Sequence, residues 1–282
     1  MSYQTLMVHL QLGHANAQVE QSNAAVIHAA KQIAKRCNAA VIGVVVGQQT
    51  QMIYGKGYAL IDFFDREQAF LEERIAAEEV LFRTAFKGHD KAVEWCSIIT
   101  MEPVVDFIVA QACRADLIIT GVTASDFYEG PSSAHAGEIV MQSGRPVLAV
   151  PVTSNQFDLE NMLIGWKDTR EARRAITDAL PLLKLATKVT VFEIVPIDEK
   201  KDSVKRLNEV IHWLASHEIE AEALATVSND TDAAQFIALA KKLKANIVVT
   251  GAYGHSRFRE WVLGGVTDEL LRGAHFCSFL SH

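Results

Sequence analysis

The octapeptide Arg114-Ala115-Asp116-Leu117-Ile118-Ile119-Thr120-Gly121 returns, class for class, as Lys244-Ala245-Asn246-Ile247-Val248-Val249-Thr250-Gly251. Self-similarity at a fixed offset marks a duplicated unit, so each half must fold on the same plan. At that offset Arg145-Pro146-Val147-Leu148-Ala149-Val150 stands against His275-Phe276-Cys277-Ser278-Phe279-Leu280, two short apolar runs fit for a strand. Towards the N-terminus Leu6-Met7-Val8-His9-Leu10 matches Met162-Leu163-Ile164-Gly165-Trp166 at a larger offset, so the first half carries extra residues. They fall between Gly47 and Arg66, where Tyr54-Gly55-Lys56-Gly57-Tyr58 reads as an inserted loop. The halves divide as 1–152 and 158–282, across a short polar joint.

Strand-like and helix-like patterns alternate within each half. In the second, 162–166 is a compact apolar run, and 169–185 has helical spacing at Ala172, Ala175, Ile176, Ala179, Leu182 and Leu183. Thr169 is placed to cap that helix, with Glu171 in its first turn. Strands follow at 189–195, 221–227, 246–250 and 277–280, with helices at 203–216, 230–244 and near 265–272 between them. Lysines close the 230–244 helix, which Asp230 or Thr231 caps. This alternation predicts an α/β chain of two tandem five-stranded parallel sheets covered by helices, since parallel strands need crossover connections. Leu117–Thr120 and Ile247–Thr250 are apolar without alternation, as strands buried on both faces must be. Ligands in such sheets bind beyond the carboxyl ends of the strands, which directs attention to the loops after Trp166, Val195 and Thr250.

Composition narrows the function. A net charge of −7 argues against a duplex nucleic-acid binder, which needs clustered Lys and Arg to displace counterions. A local basic loop still suits a small anion. The N-terminal residues have neither a cationic segment nor a long apolar run, and no stretch reaches the ~18 apolar residues of a membrane span. Cys37, Cys96, Cys113 and Cys277 are scattered in apolar surroundings, as inert reduced thiols of a cytoplasmic protein would be.

The most informative segment is Gly251-Ala252-Tyr253-Gly254-His255-Ser256-Arg257-Phe258-Arg259-Glu260-Trp261-Val262-Leu263-Gly264-Gly265-Val266-Thr267. Glycines stand where the fourth strand ends and where the next helix begins, so backbone N–H groups can approach a phosphate closely. Arg257 and Arg259 add cationic donors, and His255 lies between. A glycine-rich turn with solvated arginines is the plain alternative. The segment resembles the universal stress protein motif, in which two glycines three apart are followed, after nine residues, by Gly and then Ser or Thr. Gly251, Gly254 and Gly264 match, Gly265 replaces the hydroxyl residue, and Val266 matches its usual neighbour. Trp166-Lys167-Asp168-Thr169 resembles that family's first-strand loop.

The resemblance implies binding of ATP or another adenine nucleotide, for which Mg²⁺ is the expected counter-ion. It places phosphate on the amides of Gly254, Gly264, Gly265 and Val266, ribose near Gly251 and adenine near Ile194. The acidic residue usual after the first strand falls on Lys167, with Asp168 one place later. In the first half Gly121 keeps its place, but Ala124 and Ala134 replace the other glycines, so no nucleotide is expected there. The resemblance further implies that the final strands of the two halves pair within the chain, leaving other surfaces for a homodimer.

Other constellations fail on spacing. Gly55-Lys56 lacks the remainder of a P-loop. His212 and His217 do not share a helix face, as a metal pair must. No Gly-x-Ser-x-Gly elbow exists. The acids around Asp62, Asp65, Glu67, Glu72 and Glu73 fit a solvated, charge-laced helix over 66–86. An adenylate-handling enzyme of the pyrophosphatase type would need Ser-Gly-Gly-x-Asp-Ser after a first strand, and Leu12-Gly13-His14-Ala15 and Lys167-Asp168-Thr169-Arg170 are not that. The expectation is a protein that binds a nucleotide without a dedicated catalytic activity, with a nucleotide-independent scaffold of the same fold as the rival reading.

Overall fold

The computed structural model describes residues 2–12, 17–50, 59–122, 134–152, 157–229, 231–252, 267, 269–271 and 276–282. The first half supplies β1 (Thr5–Leu10), α1 (Ala17–Cys37), β2 (Ala40–Gln48), α2 (Ala59–Ala85), β3 (Val93–Thr100), α3 (Val104–Gln111), β4 (Leu117–Val122), α4 (Ala136–Ser143) and β5 (Val147–Pro151). The second supplies β6 (Asn161–Gly165), α5 (Arg170–Leu183), β7 (Lys188–Val195), α6 (Lys200–Ser216), β8 (Ala221–Val227), α7 (Asp232–Lys242), β9 (Ile247–Gly251) and β10 (Cys277–Ser281). Thr267 and 269–271 are helical as well.

The strands form one ten-stranded sheet in the order β3-β2-β1-β4-β5-β10-β9-β6-β7-β8. Each half is therefore a five-stranded parallel sheet with its first strand at the centre. The halves meet where β5 and β10 run antiparallel, Ser278 opposite Ala149 and Leu280 opposite Val147. Each final strand covers the edge that its neighbour would otherwise leave unpaired.

Burial follows from this arrangement. Leu117, Ile118, Ile119 and Thr120 are each fully buried, because helices cover both faces of β4. On one face a single core runs across both halves, from Leu6, Val8 and Leu148 through Phe279 to Val249, Ile164 and Val191. The opposite face divides, with Met7, Ile108, Ile139 and Leu280 in one cluster and Leu163, Phe192, Phe236 and Val248 in another. Tyr3 donates from its hydroxyl to the carbonyl of Asp178 at 2.7 Å, and Ser281 donates to the Asp178 carboxylate at 2.6 Å.

The insertion differs from the sequence reading. α2 begins at Ala59, not at Arg66, and with 27 residues against 17 in α6 it takes part of the extra length of the first half into helix. Residues 59–64 carry one charge, Asp62, so the pattern of alternating charges that marks the rest of the helix is missing there. The loop residues 54–58 lie outside the described residues. Cys37 and Cys277 are buried, but Cys113 is exposed, contrary to its apolar sequence neighbourhood. Among the described residues no helix is long and apolar enough to cross a membrane.

Candidate functional site

From its first strand each half adds two strands on one side, then returns to the other side for the fourth. The strand order reverses at this point, between β1 and β4 in the first half and between β6 and β9 in the second, and ligands of such sheets bind beyond the carboxyl ends there. In the second half Gly251 ends β9 directly against the first turn of α5. A Cβ on Gly251 would stand 2.6 Å from the Glu171 carbonyl carbon and 2.7 Å from the Ala172 nitrogen. No side chain fits, so this glycine is required by backbone packing whatever else it does.

The loop after β6 lies beside it. Trp166 is half-buried against the shared core, and its indole Nε1 is buried without a hydrogen-bond partner. Lys167 and Asp168 are exposed, and Asp168 is held in an ion pair by Arg173. Ile194, at the end of β7, is half-buried and packs on the α7 side with Phe192 and Phe236. The structure thus places Trp166, Lys167 and Asp168 after β6 and Gly251 at the end of the neighbouring β9, with Ile194 on β7 on the other side of β6. Gly254, His255, Arg257, Gly264, Gly265 and Val266 lie outside the described residues.

Two donors at the start of α5 are already engaged. The Thr169 hydroxyl accepts from the Ala172 N–H at 3.3 Å. The Glu171 carboxylate takes its own backbone N–H, which together with Arg170 and Thr169 holds its carboxyl below the usual range although burial opposes this. Arg170 reaches that carboxylate at 3.0 Å. An anion here would meet a helix end that is already capped. Glu171, not Asp168, is the acid in contact with Gly251. Its place four residues beyond the expected position, Lys167, hid it from motif reading.

The corresponding strand end of the first half is packed as closely. A Cβ on Gly121 would overlap the Ser22 hydroxyl from α1. The Asn23 side chain accepts from the Gln11 N–H and donates to the Gln11 carbonyl, both at 2.9 Å, closing the backbone after β1. His9 is buried at the end of β1, with Nδ1 2.8 Å from the Thr120 hydroxyl oxygen, and burial lowers its pKa to about 4. A second buried group escaped sequence reading: Glu193 on β7 accepts from Arg206 of α6 at 3.1 and 3.2 Å. Its charge lies inside an apolar run and carries no motif. No group of His, Cys, Asp and Glu among the described residues is arranged to hold a metal.

Two parallel five-stranded units joined through their final strands define a two-domain α/β protein. No family model and no curated protein matches the sequence. Solved structures do match. A universal stress protein from Archaeoglobus fulgidus DSM 4304 aligns over 98% of this chain and 97% of its own, with a TM-score of 0.73 and 13% identity. A putative universal stress protein from Pseudomonas aeruginosa UCBPP-PA14 aligns over 99% and 93%, with a TM-score of 0.61 and 13% identity. A protein of unknown function from Pseudomonas aeruginosa PAO1 aligns over 99% and 92%, at 0.57 and 13%. The chain has the fold of the two-domain universal stress proteins.

Proposed function

We propose that the chain is a tandem universal stress protein of the cytoplasm that binds ATP or a related adenine nucleotide in its second half and acts by binding, not turnover. The observation that carries this reading is the difference in the loop after the first strand of each half. After β1, Gln11 and Leu12 are half-buried and Asn23 closes on the Gln11 backbone. At β6 and β9 the polar loop residues Lys167 and Asp168 are exposed beside Gly251. Gly254, Gly264, Gly265 and Val266 would supply amides to phosphate, Arg257 and His255 cationic contacts, and Ile194 an apolar surface for the base. Lys167 would add charge where the family pattern has an acid, and Glu171 would be the carboxylate nearest the ribose.

Calorimetric titration with ATP tests this, with an expected stoichiometry of one nucleotide per chain. Gly254→Val or Gly264→Val should abolish binding with the circular dichroism unchanged. Arg257→Ala should weaken binding by about 1–2 kcal/mol, the worth of a charge-assisted hydrogen bond. Two equivalent sites, or affinity unchanged in all three variants, would overturn the assignment.

One observation favours the rival, a nucleotide-independent scaffold: the Ala172 and Glu171 N–H groups at the start of α5 are already engaged by Thr169 and the Glu171 carboxylate. On that reading ATP, ADP and AMP leave the thermal midpoint unmoved, and mass spectrometry of the purified protein finds no co-purifying nucleotide.

A further inference from the structure

Glu78 is a carboxyl inside the protein that neither strand end uses. It is 4% exposed, on the same side of α2 as the buried Leu71, Ile75 and Phe82, and its Oε2 is buried without a hydrogen-bond partner. A buried carboxylate ordinarily needs a paired charge or several donors, because the water that would solvate it is gone. Here the groups that act on it are Asn23 and Glu20 of α1 and Arg74 of its own helix. Arg74 is turned to Glu20, 3.9 Å away. On this side the sheet presents Leu6, Val8, Leu10, Val41 and Val45, none of them charged. By strand alternation His9 and Glu94 belong to the opposite face, with Met7 and Cys96. Burial therefore pushes the Glu78 carboxyl above its ordinary range, with Glu20 adding to this and Asn23 and Arg74 opposing it.

Asn23 is the part that Glu78 shares with the strand end. Itself buried, Asn23 accepts from the Gln11 N–H and donates from Nδ2 to the Gln11 carbonyl, both at 2.9 Å, and so pins the backbone that leaves β1. We infer that Glu78 is a proton-operated latch on this strand end: uncharged, it leaves the Asn23 amide to Gln11, and as an anion it competes with Gln11 for that amide. The competition turns on the proton because a hydrogen bond to a carboxylate is roughly twice as strong as one to a neutral acceptor. A carboxyl whose folded pKa lies above its unfolded value contributes its full stability below the ordinary 4.5 and loses it as pH rises through the folded value. The latch is therefore closed in acid and loosens as pH rises, the direction opposite to the effect of a histidine buried neutral.

Amide hydrogen exchange of the full chain from about pH 4 to about pH 8, corrected at each pH for the intrinsic rate, tests this. Protection of the Gln11 amide should fall at least about tenfold as pH rises, while that of Val8, in mid-strand, holds. Glu78→Gln keeps an uncharged acceptor in the same place and should hold Gln11 protected throughout. Glu20→Gln removes the acid that acts against the Glu78 anion and should move the fall to lower pH, which a general loosening of the helix contact would not do. Wild-type protection at Gln11 that stays flat across the range, or a fall that persists in Glu78→Gln, overturns the proposal.

Discussion

His9 has a measurable consequence at the scale of a single residue. Burial lowers its pKa from 6.5 to about 4, so the folded protein holds it neutral where the unfolded chain protonates it. The unfolded state therefore binds more protons between these values, and stability falls as pH drops from 6.5 towards 4. A pKa difference of this size between the folded and unfolded states is worth roughly 3 kcal/mol. His9→Gln can keep a hydrogen bond to Thr120 and carries no proton to gain, so its urea midpoint should be flatter across that window. Equal slopes for wild type and variant would show that His9 titrates freely. The sequence did not single out this residue, because a histidine inside an apolar run looks like any other core position. Gly251 was found, but as a ligand-facing residue. That its missing Cβ makes room for the backbone of Glu171 and Ala172 depends on where α5 packs, which no local pattern encodes.

At the scale of elements, helix starts separate into two kinds. Thr169 and Thr231 accept hydrogen bonds from the N–H groups of Ala172 and Ala234, each at 3.3 Å, whereas α3 and α6 begin without any side-chain cap. Thr169→Ala should cost about 1 kcal/mol of stability. It should also free the Ala172 N–H at the strand end, so under the nucleotide reading affinity should fall by no more than stability does. A denaturant titration that shows no change would mean that Glu171 alone satisfies the turn. Elements were legible where period and cap agreed, as in α5 and α7, and where burial on both faces leaves an unbroken apolar run, as in β4 and β9. The start of α2 was not, because the apolar residues at its N-terminal end, among them the exposed Phe63, do not follow the period of a core-facing helix. The pattern of charges further along reported solvent correctly.

At the scale of the whole molecule, β10 is the last strand of the second half and also the strand that completes the edge of the first. Phe279 and Leu280 are fully buried, Phe279 in the core that spans both halves and Leu280 in the cluster beneath α3 and α4. Removing 273–282 therefore takes away more than the end of one domain. It leaves the N–H and C=O groups of β5 and β9 unpaired, removes Phe279 from between Leu148 and Val249, and breaks the Ser281–Asp178 hydrogen bond. Losing a buried aromatic alone costs about 3–5 kcal/mol, a large part of the stability of an ordinary domain. Because both halves lie within one chain, their contact forms at high effective concentration, and a second chain lacking β10 offers no equivalent strand to replace it. The truncated protein should unfold at a lower midpoint, and amide protection at Val147–Val150 should fall together with that of Ile247–Gly251. If the first half keeps its wild-type protection at β5 while only β9 loosens, the two halves fold as independent units that merely touch, and the continuous sheet contributes nothing to their stability.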